Sequence, residues 1–147
     1  MGNGQYEGEM NESGQAHGNG TMRWSDGEYH EGEWRKGKPH GKGVRRNGGN
    51  GCLFRGEFRN GCFSSGSLIC PSKEYLYVGG FDCEGWLHGS GIVTYFDGTR
   101  IEGEWVHARG AGAGFVTHPD GTKEQVRDIQ RYMKYIELKR RNDRSEE

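Results

Sequence analysis

A short frame with glycine at its centre recurs five times along this chain, at nearly constant intervals. In each frame a bulky residue stands two positions before the glycine and another stands two positions after it. The central glycines are Gly8, Gly32, Gly56, Gly79 and Gly103, and they are 24, 24, 23 and 24 residues apart. A fixed period of this size is typical of a stacked repeat array. Such an array grows along one axis, so its long faces favour docking of partners over an enclosed reaction pocket.

Each frame alternates with a period of two, as in Tyr6-Glu7-Gly8-Glu9-Met10. This pattern predicts a strand with one buried face and one wet face. A turn region, a second glycine pair and a second alternating run follow, and the run ends at a turn dipeptide such as Asp97-Gly98. We therefore predict one β-hairpin per period. The fold class is all-β, an elongated single-layer antiparallel sheet of about ten short strands, which lengthens by about 9.6 Å per repeat and twists into an open trough.

Composition limits the kind of core that this chain can build. With 28 glycines and 31% hydrophobic residues among 147, a thick core of interlocking aliphatic side chains is excluded. Aromatic residues make up 12% of the chain, and a thin ladder of rings can replace such a core. Glycines between the rings would leave them room to pack. We therefore expect bulky substitutions at Gly32 or Gly103 to disrupt the stack.

The repeat resembles the MORN repeat (membrane occupation and recognition nexus). The resemblance lies in Tyr-x-Gly-x-Trp followed by Gly-x-Gly and Asp-Gly, and the segment from His30 to Gly43 matches that pattern nearly throughout. It covers residues 6 to 121. Similar repeats occur in cytoskeletal and ciliary scaffolds, junctional membrane proteins, lipid kinases and a histone methyltransferase. The resemblance therefore implies an architecture and leaves the function open.

Two repeats depart from this pattern. In the third, Ser65 and Ser67 stand where the glycine pair is expected, Ser64 replaces the usual histidine, and residues 71–74 replace the closing Asp-Gly. These changes predict a local irregularity, either a looser turn or a loop that gives a partner specificity. In the first repeat, Met10 stands in the tryptophan place, as is common in a terminal repeat that caps an array.

No residue pattern indicates catalysis, a cofactor or a metal. Three histidines precede a Gly-x-Gly, namely His17, His40 and His88, but equivalent atoms of neighbouring hairpins lie about 9.6 Å apart, too far to share a zinc ion. We therefore favour a role in turn packing. The Gly-x-Gly pairs lie between strands and lack the strand-to-helix context of a nucleotide loop. The four cysteines form no Cys-x-x-Cys pair, so we expect reduced structural thiols: Cys52, Cys62, Cys70 and Cys83.

Charge is balanced in bulk and uneven locally. The formal net charge of −1 predicts neither nucleic acid nor membrane as a partner. Glutamates flank the central glycines at wet positions, where we expect a solvated face. The segment 35–46 contains no acid and holds half of the twelve Lys and Arg before residue 122: Arg35, Lys36, Lys38, Lys42, Arg45 and Arg46. Because this segment spans a hairpin turn, we predict that several of the charges converge on one rim, as a solubilising rim or as an anion site.

After residue 121 the composition changes. We divide the chain into a repeat array, residues 1–121, and an amphipathic helix with a charged tail, residues 122–147. The segment Thr122-Lys123-Glu124-Gln125 has the pattern of a capping box that opens the helix. An apolar stripe follows, formed by Val126, Ile129, Tyr132, Met133 and Ile136. Either the helix folds back to cap the last hairpin around Trp105 and Phe115, or it pairs with another helix.

These patterns favour a non-catalytic scaffold that docks a helical or extended protein segment on its aromatic groove. The predicted groove residues are Trp34, Phe58, Tyr77, Phe81, Tyr95 and Trp105. For some of these rings, packing within the sheet is an equal alternative. The alternative function is a peripheral membrane adaptor that binds acidic phospholipid, such as a phosphoinositide, through the basic rim. The sequence has neither an apolar span nor a secretory signal, so we expect a cytoplasmic protein. Its association with the cytoskeleton or a cilium is implied only by the resemblance.

Overall fold

The computed structural model describes residues 4–145, which form one continuous sheet followed by one helix. Eleven antiparallel strands lie side by side in sequence order. They are β1 (Gly4–Met10), β2 (Ala16–Trp24), β3 (Tyr29–Arg35), β4 (Lys38–Arg46), β5 (Leu53–Arg59), β6 (Cys62–Ile69), β7 (Tyr75–Phe81), β8 (Leu87–Tyr95), β9 (Arg100–Val106), β10 (Arg109–Thr117) and β11 (Lys123–Val126), and the helix is α1 (Ile129–Ser145). The predicted fold class is confirmed. Residues 1–3 and 146–147, including the end of the predicted charged tail, lie outside the described residues.

Each period of the sequence forms one hairpin, from β1–β2 to β9–β10. In the second, third and fifth hairpins the turn has only two residues, both with positive φ: Lys36-Gly37, Asn60-Gly61 and His107-Ala108. This geometry matches the twist of the flanking strands. The first and fourth turns are longer, and a side-chain oxygen of Asn11 or Asp82 accepts backbone N–H groups there. The return strands therefore begin earlier than predicted, and the second glycine pair lies inside them.

Glycines from nine successive strands lie opposite one another in a row along the sheet. This glycine row consists of Gly8, Gly20, Gly32, Gly43, Gly56, Gly66, Gly79, Gly91 and Gly103. A Cβ added at Gly32 would approach the Cα of Gly43 to 2.5 Å, and one added at Gly43 would lie 2.9 Å from Nε2 of His30. The row therefore makes room for rings, as predicted, and also permits close approach of the backbones.

The third repeat is more regular than its sequence indicated. Gly66 lies in the glycine row, opposite the central glycine of its own frame. Ser64 therefore takes the place of the first glycine of the pair, and Phe63 takes the place of the histidine. The prediction that Ser65 and Ser67 replace the glycine pair is wrong by one residue. A serine can stand at the first position because the bulge between β5 and β6 forms there without a left-handed residue.

The start of the tail also differs from the prediction. Residues 123–126 add a strand to the sheet, because the open edge of β10 offers them backbone hydrogen bonds. The hydroxyl and the N–H of Thr122 both donate to Oδ1 of Asp120, at 2.6 and 2.9 Å, which closes this turn. The helix begins at Ile129, where Oδ1 of Asp128 accepts the N–H of Arg131 at 3.0 Å. The predicted capping box at Thr122 is therefore wrong.

The cysteines are paired in the structure, contrary to the expected reduced thiols. One disulfide joins Cys52 to Cys70, and the other joins Cys62 to Cys83. The first links the two ends of the β5–β6 hairpin. The second links the start of β6 to the β7–β8 turn. The sequence did not indicate these pairs, because the paired cysteines are 18 and 21 residues apart. Only the pairing of neighbouring strands brings them into contact.

Within residues 4–145, α1 is the one helix, and it lacks the length and the apolar character of a membrane span.

Candidate partner-docking face

The two faces of the sheet differ in composition. We call the face that carries the large rings the inner face. Its core contains twelve buried side chains: Phe58, Phe63, Tyr77, Phe81, Leu87, Val93, Tyr95, Ile101, Trp105, Val116, Ile129 and Met133. The rings meet mostly edge to face across strands and repeats, as Tyr77 does with Trp105 at a centroid distance of 5.9 Å. The inner face is therefore one connected aromatic layer.

The six predicted groove residues all lie on this inner face, but the chain itself buries them. None is more than 8% exposed, and Tyr77 and Trp105 are fully buried. The indole nitrogens of Trp34 and Trp105 donate to carbonyl oxygens of the preceding strand, those of Gly20 and Gly91, at 2.9 and 3.0 Å. Of the two roles considered for these rings, the structure shows packing within the sheet. Contact with a partner stays a proposal.

A ring from the start of the frame covers the glycine row in several repeats. Tyr6 and Tyr77 lie over it, and their hydroxyls donate to the carbonyl oxygen three residues on, at 2.6 and 3.0 Å. Burial raises the pKa of Tyr77 to about 12. His30 holds the same position in the second repeat and is fully buried, but neither of its ring nitrogens has a hydrogen-bond partner. Burial, with a smaller contribution from the charge of Arg45, lowers the pKa of His30 to about 4.

In the fifth repeat the helix covers the inner face. Ile129 lies so close that a Cβ at Gly103 or at Gly114 would come within 2.8 or 2.7 Å of its methyl groups. The helix therefore folds back on the last hairpin, which is the first of the two alternatives considered. It packs over Trp105 and not over Phe115, which is 43% exposed because it points away from the inner face.

The predicted helix face is largely the face that docks. Ile129 and Met133 are buried, and Tyr132 and Ile136 pack at the margin of the core. Val126 also contacts the core, but it belongs to β11 and not to α1. A short strand and a helix would both place Val126 on the inner side, so the sequence pattern could not distinguish a strand from a helix at this position.

Arg140 fixes the far end of the helix. Its guanidinium donates to carboxylates of Glu74 and Asp97, at 3.2 and 2.8 Å, and lies 4.8 Å from the ring centre of Tyr95. Arg144 also pairs with Glu74. Burial raises the pKa of Tyr95. No sequence pattern indicated this contact, because Glu74 lies in the irregular segment that replaces the closing Asp-Gly turn of the third repeat. The helix therefore packs on β10 near its start, and near its end its arginines reach the turns before β7 and after β8.

Next to the helix lies an uncovered cleft of about 370 Å³, which we call the central cleft. Its apolar surface is formed by Phe54, Leu68, Tyr75, Leu87 and the Cys52–Cys70 disulfide, and Trp86, Lys73, Glu84 and two asparagines stand around it. Trp86 is 49% exposed. A volume near 300 Å³ is the lower end of sites that enclose a drug-sized group. The central cleft therefore fits one or two large side chains of a partner segment.

The predicted basic rim is not one site. Arg35, Lys36 and Lys38 lie together at the β3–β4 turn, where Arg35 and Lys38 are directly opposite. Lys42 lies on the outer face, in the middle of β4. The remaining two are Arg45, which lies over the ring of Phe58 on the inner face, and Arg46, which reaches towards Gly27 at the opposite rim. Three of the six charges therefore converge on one rim, and the other three do not, because alternation and the length of β4 spread them over both faces and both rims.

Sequence reasoning missed one residue of this rim. Arg59, one period after Arg35, begins the adjacent two-residue turn. The two turns are in contact, since the N–H of Gly61 donates to the carbonyl of Pro39 at 2.8 Å. The period of 24 residues is the signal that could have found Arg59.

Two of the three predicted turn histidines, His17 at the start of β2 and His40 at the start of β4, connect neighbouring repeats. Nδ1 of His17 accepts the N–H of Lys36 at 3.3 Å, and Nδ1 of His40 accepts the N–H of Asn60 at 3.1 Å. Within residues 4–145, no group of three or more His, Cys, Asp and Glu side chains is arranged to hold a metal ion. The wet glutamates also have a role that the sequence did not indicate, since a carboxylate oxygen of Glu33 accepts the N–H of Lys42 at the bulge.

Comparison with known proteins identifies the repeat. The MORN repeat family model matches residues 6–29, 30–51 and 84–100. The chain carries MORN repeats. The first two matched segments each contain one hairpin, β1–β2 and β3–β4, and the third contains β8 with its flanking turns. The third and fifth hairpins form the same antiparallel pairs outside the matched segments.

The chain also resembles part of two larger curated proteins. It is 38% identical to Alsin from Homo sapiens and from Mus musculus over 86 residues, which is 55% of this chain and 5% of Alsin. It is 33% identical to the Homo sapiens ALS2 C-terminal-like protein over 92 residues, which is 60% of this chain and 9% of that protein. The chain thus spans less than a tenth of the length of these relatives.

Proposed function

We propose that this chain is a non-catalytic scaffold, which docks a helical or extended segment of a partner protein on the uncovered part of its inner face. The observation that carries this proposal is that α1, an amphipathic helix of the chain itself, already occupies the same face with Ile129 over the glycine row. A surface that accepts one apolar helix over its last hairpins offers related chemistry in the central cleft. By resemblance to other MORN proteins, we place the scaffold in the cytoplasm, in a cytoskeletal or ciliary assembly.

Quantitative affinity purification from the native cell tests this function. The purified chain is the bait, and Trp86→Ala is the test variant because Trp86 borders the central cleft and is half exposed. The matched control is Phe96→Ala, which removes an even more exposed ring, 69% exposed, outside the central cleft. We expect partners that are lost from the Trp86 variant and retained by the control. An identical set of partners on both variants would contradict the proposal.

A second candidate function is binding of acidic phospholipid at the turn that carries Arg35, Lys36 and Lys38. All three side chains are exposed, and none is in a salt bridge within residues 4–145. At about 1 kcal/mol per basic residue near an anionic surface, three charges give weak binding. Flotation with phosphoinositide liposomes at two salt concentrations tests it. We expect salt-sensitive binding that Lys38→Glu reduces and Lys42→Glu does not, since Lys42 lies away from this turn. Equal effects of the two substitutions would exclude a site at the turn.

A further inference from the structure

The helix has a second, exposed face opposite its contact with the sheet. At about 100° per residue, the positions opposite the buried Ile129 and Met133 are, at spacings of 4, 3 and 4 residues, Arg131, Tyr135, Leu138 and Asn142. We call these residues, with Lys134, Lys139 and Arg141 beside them, the outer face of α1. Tyr135 is 58% exposed and Leu138 is 59% exposed. Two large apolar groups therefore meet solvent side by side on an otherwise charged helix.

The charge of this outer face has one sign. Four exposed basic side chains surround Tyr135 and Leu138, namely Arg131, Lys134, Lys139 and Arg141. None of the four is in a salt bridge within the described part of the chain, whereas Arg140 and Arg144 pair with acids of the sheet. The acids of α1, Glu137 and Asp143, project outside this arc at about 100° per residue.

We propose that the outer face of α1 docks an acidic amphipathic helix of a protein partner. This inference rests on the proposed scaffold function and names a second surface for it. The apolar centre of this face is Tyr135 and Leu138, three residues apart. Apolar groups at this spacing are those by which one helix packs on another, and charges beside them select the partner. Here the flanking positions carry Lys134, Lys139 and Arg141, so a partner with glutamates beside its own seam fits.

Two other occupants fit the outer face less well. A second copy of α1 would bring like charges together beside the seam, which is unfavourable. An anionic membrane would satisfy the charges, but only Tyr135 and Leu138 are placed to insert into it. A small apolar contact surrounded by basic side chains therefore favours an acidic helix.

The outer face of α1 is held in place before any partner arrives. Ile129 and Met133 anchor one side of the helix in the core, and Arg140 pairs with Glu74 and Asp97 near its end. A partner therefore meets an ordered helix and bears no cost of folding it.

The test measures binding of the full chain to two synthetic amphipathic peptides of about three heptads, both with leucine at the seam positions. One peptide has glutamate at the flanking positions and the other has lysine. Phosphatidylserine vesicles are the third probe. The test variant is Tyr135→Ala with Leu138→Ala. A second variant, Lys134→Glu with Lys139→Glu, reverses two exposed charges. Trp86→Ala in the central cleft is the matched control. It tests the proposed scaffold function and leaves the outer face of α1 unchanged, so the two proposals can fail separately.

We expect the glutamate peptide to bind and the lysine peptide not to bind. The alanine variant should weaken binding about tenfold or more, the charge reversal should remove it, and Trp86→Ala should leave it unchanged. Binding that both test variants retain would overturn the proposal. Binding to vesicles with no preference between the peptides would overturn it in favour of a membrane surface, and no binding to any probe would also overturn it.

Discussion

At the scale of single residues, His30 is the least satisfied group of the inner face. It holds the ring position that Tyr6 and Tyr77 hold in other repeats, yet its buried ring nitrogens lack partners. A tyrosine there would place its hydroxyl near the carbonyl of Glu33, the equivalent of the acceptors used by Tyr6 and Tyr77. We therefore predict that His30→Tyr raises the free energy of unfolding by about 1–2 kcal/mol.

Denaturant unfolding at pH 7.5 checks this prediction. His88→Tyr is the control, since His88 is an exposed residue near the start of β8 and its replacement should change stability by no more than about 0.5 kcal/mol. A loss of stability in His30→Tyr would mean that the second repeat cannot accommodate the larger ring.

Titration of the same residue makes stability depend on pH. The pKa of His30 is about 4 in the folded protein and about 6.5 in an unfolded chain. The unfolded chain therefore takes up the proton first as the pH falls, and the free energy of unfolding decreases between pH 6.5 and 4 by up to about 3 kcal/mol. Unfolding curves at several pH values measure this decrease. In His30→Phe the decrease should be smaller by that amount, and equal slopes for the two proteins would refute the prediction.

At the scale of elements, the contact between α1 and the sheet depends on a missing side chain. A Cβ at Gly103 would lie 2.8 Å from Cδ1 of Ile129. We predict that Gly103→Ala weakens the docking of α1 and costs about 1–3 kcal/mol, because overpacking forces Ile129 outward. Hydrogen exchange of amides in residues 129–145, measured by mass spectrometry, should be faster in this variant.

The matched control is Gly49→Ala. No atom lies within 4 Å of a Cβ at that position, and its φ is ordinary. If the amides of α1 exchange equally slowly in wild type and in the Gly103 variant, the prediction is wrong. Ile129 would then move aside without weakening the docking of α1.

The elements of the array were predictable because one pattern is repeated. The glycine period located all five hairpins, and alternation assigned the rings to one face. The pattern ends at residue 121, and prediction failed there: residues 123–126 carry both a capping-box signal and strand alternation, and the open edge of β10 decided between them. Local sequence contains no information on that edge.

The prediction of the basic rim was right for only three of its six residues, for a related reason. Proximity in sequence was taken as proximity in space, but a strand of nine residues such as β4 spans about 30 Å and alternates its side chains. Only charges at one turn could meet. The arginine that does join them, Arg59, lies a full period away.

At the scale of the whole molecule, the third repeat is cross-linked at both rims. We predict that the oxidised protein contains the bridges Cys52–Cys70 and Cys62–Cys83, and that reduction by a dithiol lowers its melting temperature. Each bridge closes a loop of about 20 residues and should contribute about 3 kcal/mol. Peptide mapping without reduction determines the pairs.

Paired serine substitutions separate the two bridges. Cys52→Ser with Cys70→Ser should remove the stability that the first bridge contributes. Cys62→Ser with Cys83→Ser should remove the contribution of the second. Free thiols in oxidised protein, or a different pairing, would refute the prediction. The sequence could not reveal these pairs, because the expected cytoplasmic setting argued for reduced thiols and only the register of β5 with β6 places Cys52 opposite Cys70.

The glycine row also determines how the whole sheet yields to force. Along its length, every strand is hydrogen-bonded to the next, so stretching must break a ladder. Across its width, bending concentrates on a line where the strands carry no side chains of their own, and the rings of Tyr6 and Tyr77 that cover this line limit how far the sheet can close. The sheet is therefore stiff along its length and bends most readily about the glycine row, within the limit that these rings set.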